Sequence, residues 1–90
     1  RLVQIDGHTV DVPPAGHLLV VNNDDRPGVI GRVGTVLGDA GVNIADMDVG
    51  RSSGQLGALM VISVSEAPSP EVVDRLRAAD GVTAVAVIGR

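Results

Sequence analysis

Ninety residues suffice for one small domain, and a chain this short buries only roughly 60–65 % of its unfolded surface, so it gains from pairing. A formal net charge of −4, carried against seven scattered Arg and no Lys, argues against a polyanion partner, and the lack of Phe, Tyr and Trp removes the stacking platforms of nucleic-acid-binding sheets. The absence of Cys excludes disulfides and thiolate zinc sites, and no apolar run approaches the roughly 18–20 residues of a membrane span, which together point to a cytoplasmic setting.

The chain opens on Arg1-Leu2-Val3-Gln4-Ile5-Asp6, which breaks at a charge and does not read as a signal peptide; a start without Met suggests a fragment of a longer chain. Apolar-alternating runs at 2–5 and 8–12 flank Asp6-Gly7, a two-residue loop whose positions favour positive φ, so a β-hairpin is predicted. Pro13-Pro14-Ala15-Gly16 follows as a stiff linker. A lone two-stranded hairpin is barely stable in water. Residues 1–16 therefore either dock on the main body or form the tail of a preceding domain, with 17–90 as the domain proper.

His17 to Asn23 reads as a buried strand, with Leu18, Leu19, Val20 and Val21 covering both faces. Asp24 and Asp25 stand where a helix N-cap is expected, and Pro27 suits the first helical turn. Across 27–40, Val29, Ile30, Val33, Val36 and Leu37 share one helical face, and Gly41 is placed as a left-handed stop. Val42 to Val49 is a second strand and Leu56 to Val64 a third, joined through Ser52-Ser53-Gly54. Ser69-Pro70-Glu71 opens a second helix with Val72, Val73, Leu76 and Ala79 inward and Gly81 as its stop; Val82 to Ile88 is the last strand. From residue 17 the order is βαββαβ. That is the α+β, ferredoxin-like pattern: a four-stranded antiparallel sheet with two helices on one face, here preceded by a short β-hairpin. Many functions share it, so it assigns none.

Gly31, Gly34 and Gly38 fall within about 60° of one another on a helical wheel of roughly 100° per residue. Interior glycines cost a helix up to about 1 kcal/mol each relative to Ala, and three need a reason. Either the strip packs tightly on the sheet or the second helix, or a partner subunit's helix or a ligand lies against it.

Asn23, Asp25 and Asn43 are expected near one end of the sheet, beside a helix start whose backbone around Pro27, Gly28, Val29 and Ile30 carries N–H groups that favour a carboxylate. The asparagines and the acid can hold an ammonium group and a hydroxyl, which suits a small zwitterion. Each has a plainer reading: Asp25 as a cap, Asn23 as a strand end, Asn43 as a turn residue. Asp24 and Asp25 are adjacent at a helix start, where caps are commoner than general acid/base pairs. His8 and His17 have no second His or Cys at metal-ligand spacing, so no metal site is expected. Gly28-x-x-Gly31-x-x-Gly34 lies within the helix and is not a dinucleotide fingerprint. Asp46 and Asp48 alternate on one strand face and read as a solvated or edge face that deters unwanted pairing; Arg26 reads as solvent-facing. No catalytic constellation is visible.

The motifs Asp25-Arg26-Pro27-Gly28 and Gly41-Val42-Asn43-Ile44 resemble those of the ACT domain, a small regulatory module that binds amino acids. The leader from Ile5-Asp6-Gly7 through Asp11-Val12-Pro13-Pro14-Ala15-Gly16-His17 is similar to the junction before the C-terminal ACT domain in long forms of D-3-phosphoglycerate dehydrogenase, where an extra domain intervenes. That resemblance implies an effector site with a polar residue at 23 and an acid or amide at 25 from one subunit, and Asn43 from its neighbour. Relatives often carry His or Tyr at 23, where this chain has the shorter Asn23. It further implies L-serine or a similar small amino acid as ligand, a homodimer through ACT–ACT pairing within a tetrameric parent, and feedback inhibition of serine biosynthesis. The parent would be an NAD-dependent oxidoreductase, with no cofactor in this fragment. The alternative is a dimerisation module with no effector binding.

Overall fold

The computed structural model describes residues 1–51 and 57–89. The hairpin strands are β1 (Leu2–Ile5) and β2 (His8–Asp11), followed by β3 (His17–Asn23), α1 (Val29–Asp39), β4 (Ile44–Arg51), β5 (Ala58–Val64), α2 (Pro70–Ala78) and β6 (Val82–Ile88). The four later strands form one antiparallel sheet in the order β4-β5-β3-β6, so the expected ferredoxin-like topology holds. Leu19 and Val21 of β3, Met60, Ile62 and Val64 of β5 and Val85 of β6 meet Val29, Val33 and Leu37 of α1 and Val72, Val73 and Leu76 of α2 in one aliphatic core. With no aromatic side chain available, branched aliphatics fill the interior, and β5 is buried along its whole length.

The hairpin docks on the other face of the sheet. Val10 and Val12 join Leu18, Leu59 and Val61 in a second apolar cluster, with Val3, Ile5 and Val20 packed against it. The Asp6-Gly7 turn, both residues at positive φ, pairs Ile5 with His8 and leaves the N–H groups of Thr9 and Asp11 pointing away from β1. Those two amides donate to Asp48 Oδ2 (2.9 Å) and Asp46 Oδ2 (2.8 Å) of β4. The two acids lie on an edge strand as expected, and they also serve as acceptors for the hairpin, a role that only the three-dimensional docking creates. Buried His8 lies against Gly50, where a Cβ would come within 2.8 Å of its Cε1, and its Nδ1 is 3.6 Å from Asp48 Oδ2.

Several boundaries shift for local reasons. The first helix starts at Val29, with Gly28 at its N-cap position (φ 90°) and no side-chain cap, so neither Asp24 nor Asp25 caps it and Pro27 precedes it. The polar residues turn the chain earlier. Asn23 Oδ1 accepts the Asp25 N–H (2.9 Å) and Asp24 Oδ1 accepts that of Arg26 (3.2 Å). At the other end, the N–H groups of Gly41 and Val42 donate to the carbonyls of Gly38 and Leu37, a Schellman closure with left-handed Gly41. Val42 is consumed by that closure, which is why β4 begins at Ile44. Ser69 caps α2 as expected, accepting the Val72 N–H. That helix gives way at Ala79, two residues before Gly81. The Ser52-Ser53-Gly54 connection and Leu56 lie outside the described residues.

Gly31, Gly34 and Gly38 do not pack on the sheet or on α2: a Cβ on any of them would meet nothing within 4 Å. The strip faces outward. Among the described residues, no helix is long and apolar enough to cross a membrane.

Candidate functional site

Strand register fixes where the expected site residues lie. Arg51, Ala58, Asn23 and Val82 form one row across the sheet; Ile44, Val64 and His17 belong to the opposite end. Asn23 and Asp25 therefore stand at the α1 N-terminal end, whereas Asn43, just before Ile44, stands at the other. Seven residues of β3 at about 3.3 Å each put roughly 20 Å between the two rows. Within one chain the expectation that all three gather at one end fails, because α1 carries the chain back along the sheet before Asn43 is reached.

Asn23 is the last residue of β3 and only 5 % exposed. Its Oδ1 holds the Asp25 amide, and its Nδ2 is buried with no partner among the described residues. A buried donor left unpaired costs roughly 1–3 kcal/mol unless something satisfies it. Asp25 is exposed and left-handed (φ 60°), so its carboxylate is available to a ligand. Asn43 is also exposed, with its Nδ2 donating to Ser65 Oγ (3.0 Å) and its carbonyl accepting the Ser65 N–H. The α1 start has no acidic residue in its first turn, and its dipole is not offset by a side-chain cap. Ile30, in that turn, is 51 % exposed.

Around this loop lies a polar frame that sequence reasoning did not assemble. Arg26 is not free in solvent: its Nε donates to Asp24 Oδ2 and its Nη2 to Asp80 Oδ1 at 2.9 Å. The Arg26 hydrogen bond, reinforced by its charge, holds the Asp80 carboxyl below its usual range, and the same contact raises the Arg26 pKa. The Asp24 amide donates to the Gly81 carbonyl (2.9 Å), and Arg32 Nη1 reaches the Asp80 carbonyl (3.4 Å). Gly81 (φ 93°) is hemmed in: a Cβ there would fall 2.6 Å from Val29 Cγ2 and 3.0 Å from Asp24 Oδ1. Gly57 is similarly tight against the Asn23 carbonyl. Asp80 lies 54 residues from Arg26, so no local spacing announces the pair; the one available hint was Gly81 beyond a helix end.

A cavity of about 660 Å³ forms a groove between α1 and α2. It includes Gly28 but none of Asn23, Asp25 and Asn43, and no carboxylate lines it to meet an ammonium group. The polar loop at the end of β3 is therefore the better candidate for a zwitterion. Among the described residues, no three His, Asp or Glu side chains converge as a metal site.

Comparison with known proteins agrees with the fold. The ACT domain family model matches residues 17–81. D-3-phosphoglycerate dehydrogenase of Archaeoglobus fulgidus is 43 % identical over 84 residues, covering 91 % of this chain and 16 % of that protein. The enzymes of the same name from Bacillus subtilis (39 % over 88 residues) and Methanocaldococcus jannaschii (37 % over 87 residues) are matched over 98 % and 97 % of this chain and 17 % of each relative. The chain spans about one sixth of the length of these relatives. With the fold, the motifs and the family match in agreement, the chain belongs to the ACT domain family.

Proposed function

We propose that this chain is the amino-acid-binding regulatory domain of a D-3-phosphoglycerate dehydrogenase, and that it takes L-serine at a seam between two copies. The observation that carries the reading is Asn23, nine-tenths buried with an Nδ2 that has no partner among the described residues, beside an uncapped helix start. The ligand carboxylate meets the α1 backbone, the Asp25 carboxylate takes the ammonium, and the asparagines hold the hydroxyl. The identity to enzymes of that name supports the choice of parent.

The separation of Asn43 from Asn23 is accounted for by pairing. β4 is an outer strand of the sheet. Two copies joined antiparallel along it, about a two-fold axis, turn the start of one β4 toward the end of the other. Asn43 of one copy then approaches the row that holds Asn23 of its neighbour. The open glycine strip of α1 is compatible with such a seam. NAD belongs to the rest of the parent. Serine shifts the parent toward a less active state by the difference in its affinity for the two, and a coupling of about 1–3 kcal/mol changes activity about 5- to 150-fold.

The test is calorimetric titration of L-serine, with D-serine, glycine and L-alanine as controls. Stereospecific binding near one ligand per subunit, lost in Asp25→Ala and in Asn43→Ala, is the expected result. No heat and no thermal shift at millimolar serine, from an intact dimer, would leave an assembly module instead.

A further inference from the structure

The loop that presents Asp25 is held both from within and from outside. Its two Asx-type turns (Asn23 to the Asp25 amide, Asp24 to the Arg26 amide) fold the chain locally, but Asp25 and Gly28 both sit at positive φ, and Asp25 is not a glycine. Aspartate enters this region more readily than most non-glycine residues, and it stays there where its surroundings impose it. What imposes it here comes from the corner between α2 and β6. The Gly81 carbonyl accepts the Asp24 amide, and the Asp80 carboxylate takes one arm of the Arg26 guanidinium while Asp24 takes the other. Asp25 is thus bracketed: the residue before it and the residue after it are both tied to Asp80-Gly81. Gly81 lacks the Cβ that would push Val29 and Asp24 away.

We propose that Arg26 and Asp80 are positioning residues for the effector loop, so that the α2–β6 corner, which contributes no ligand contact, sets the conformation in which Asp25 meets the ligand. This deepens, and for its ligand readout rests on, the amino-acid site proposed above. Movement of α2 is transmitted to the loop through the Arg26 guanidinium and the Asp24–Gly81 backbone hydrogen bond, and a ligand that tightens the loop restrains α2 in return.

The test compares the full chain with Asp80→Asn, Arg26→Gln and the double variant. Backbone order parameters of the Asp25 and Arg26 amides are measured by NMR without ligand, and L-serine affinity by calorimetry. In the parent chain these amides are expected near the rigid value of about 0.85; in each single variant they fall toward 0.6, while the Val21 and Ile62 amides do not change. L-serine binding weakens about 5- to 10-fold in each single variant with the melting temperature nearly kept, and the double variant is no worse than either. Unchanged order parameters at Asp25 in Asp80→Asn overturn the proposal whether or not serine binds. Unaltered serine affinity in a variant whose loop has loosened overturns the positioning role. A parent chain that binds no serine sinks the ligand assignment, and the order parameters still decide the latch.

Discussion

Replacing Gly31 and Gly34 together by Ala gives opposite signs for folding and for assembly. Gly31 lies in the first turn of α1 and Gly34 in its interior, neither has positive φ, and an added methyl group on either would meet no atom of the described residues within 4 Å. Nothing among the described residues then opposes the gain in helix propensity, at most about 0.8–1.0 kcal/mol for each Gly→Ala. The pair should stabilise an isolated copy by up to about 1.5–2 kcal/mol. For a domain of this size each kcal/mol moves Tm by about 4–8 °C, so a rise of up to about 6–16 °C is expected. The assay is thermal unfolding followed by circular dichroism at a dilution where sedimentation shows monomer. The same variant at high concentration should dimerise more weakly if the strip lies in a seam, because two methyl groups hold the facing backbones apart. A lower Tm at monomer dilution would refute the reasoning, since it would mean that something in the chain already occupies the space beside the strip.

Gly81→Ala should act the other way. Positive φ and a 2.6 Å approach to Val29 Cγ2 combine backbone strain with overpacking, for a loss of about 2–4 kcal/mol in urea denaturation. Removing the acceptors for the hairpin, Asp46→Ala or Asp48→Ala, should cost about 1 kcal/mol each and speed hydrogen exchange at Asp11 or Thr9 respectively, leaving the sheet amides unaffected. Asp80 titrates below its ordinary carboxylate value of 3.8, so its contribution to stability is complete above that value and is lost as pH falls through the lowered folded-state value. Urea melts between about pH 5 and pH 2 should show that acid-side loss, and Asp80→Asn should remove this component of it.

Periodicity and caps made most of the fold legible. Val29, Val33 and Leu37 point inward as their spacing requires, Ser69 caps α2, and Gly41 closes α1. What escaped were matters of long range. Asp24 and Asp25 look like caps because caps depend on residue type; here they turn the backbone before the helix instead, since Gly28 absorbs the left-handed step. Asp46 and Asp48 lie on an edge strand as read, but their service as acceptors for the Thr9 and Asp11 amides needs the docked hairpin. The glycine strip looks like a packing surface, yet its own chain leaves it open. For the candidate site, residue types were readable and location was not. Asn23 and Asn43 flank the same helix in sequence, and a helix that crosses over between two parallel strands necessarily separates its two ends.

That separation has a consequence for mixed assemblies. If Asn23 and Asp25 from one copy complete a site with Asn43 from the other, the two defects complement each other. A pair formed from one Asp25→Ala chain and one Asn43→Ala chain has both lesions in a single site and leaves the second site intact. Two individually silent proteins, unfolded and refolded together, would regain serine binding at one site per mixed pair. A random mixture contains half mixed pairs, so about one quarter of the parental sites should return.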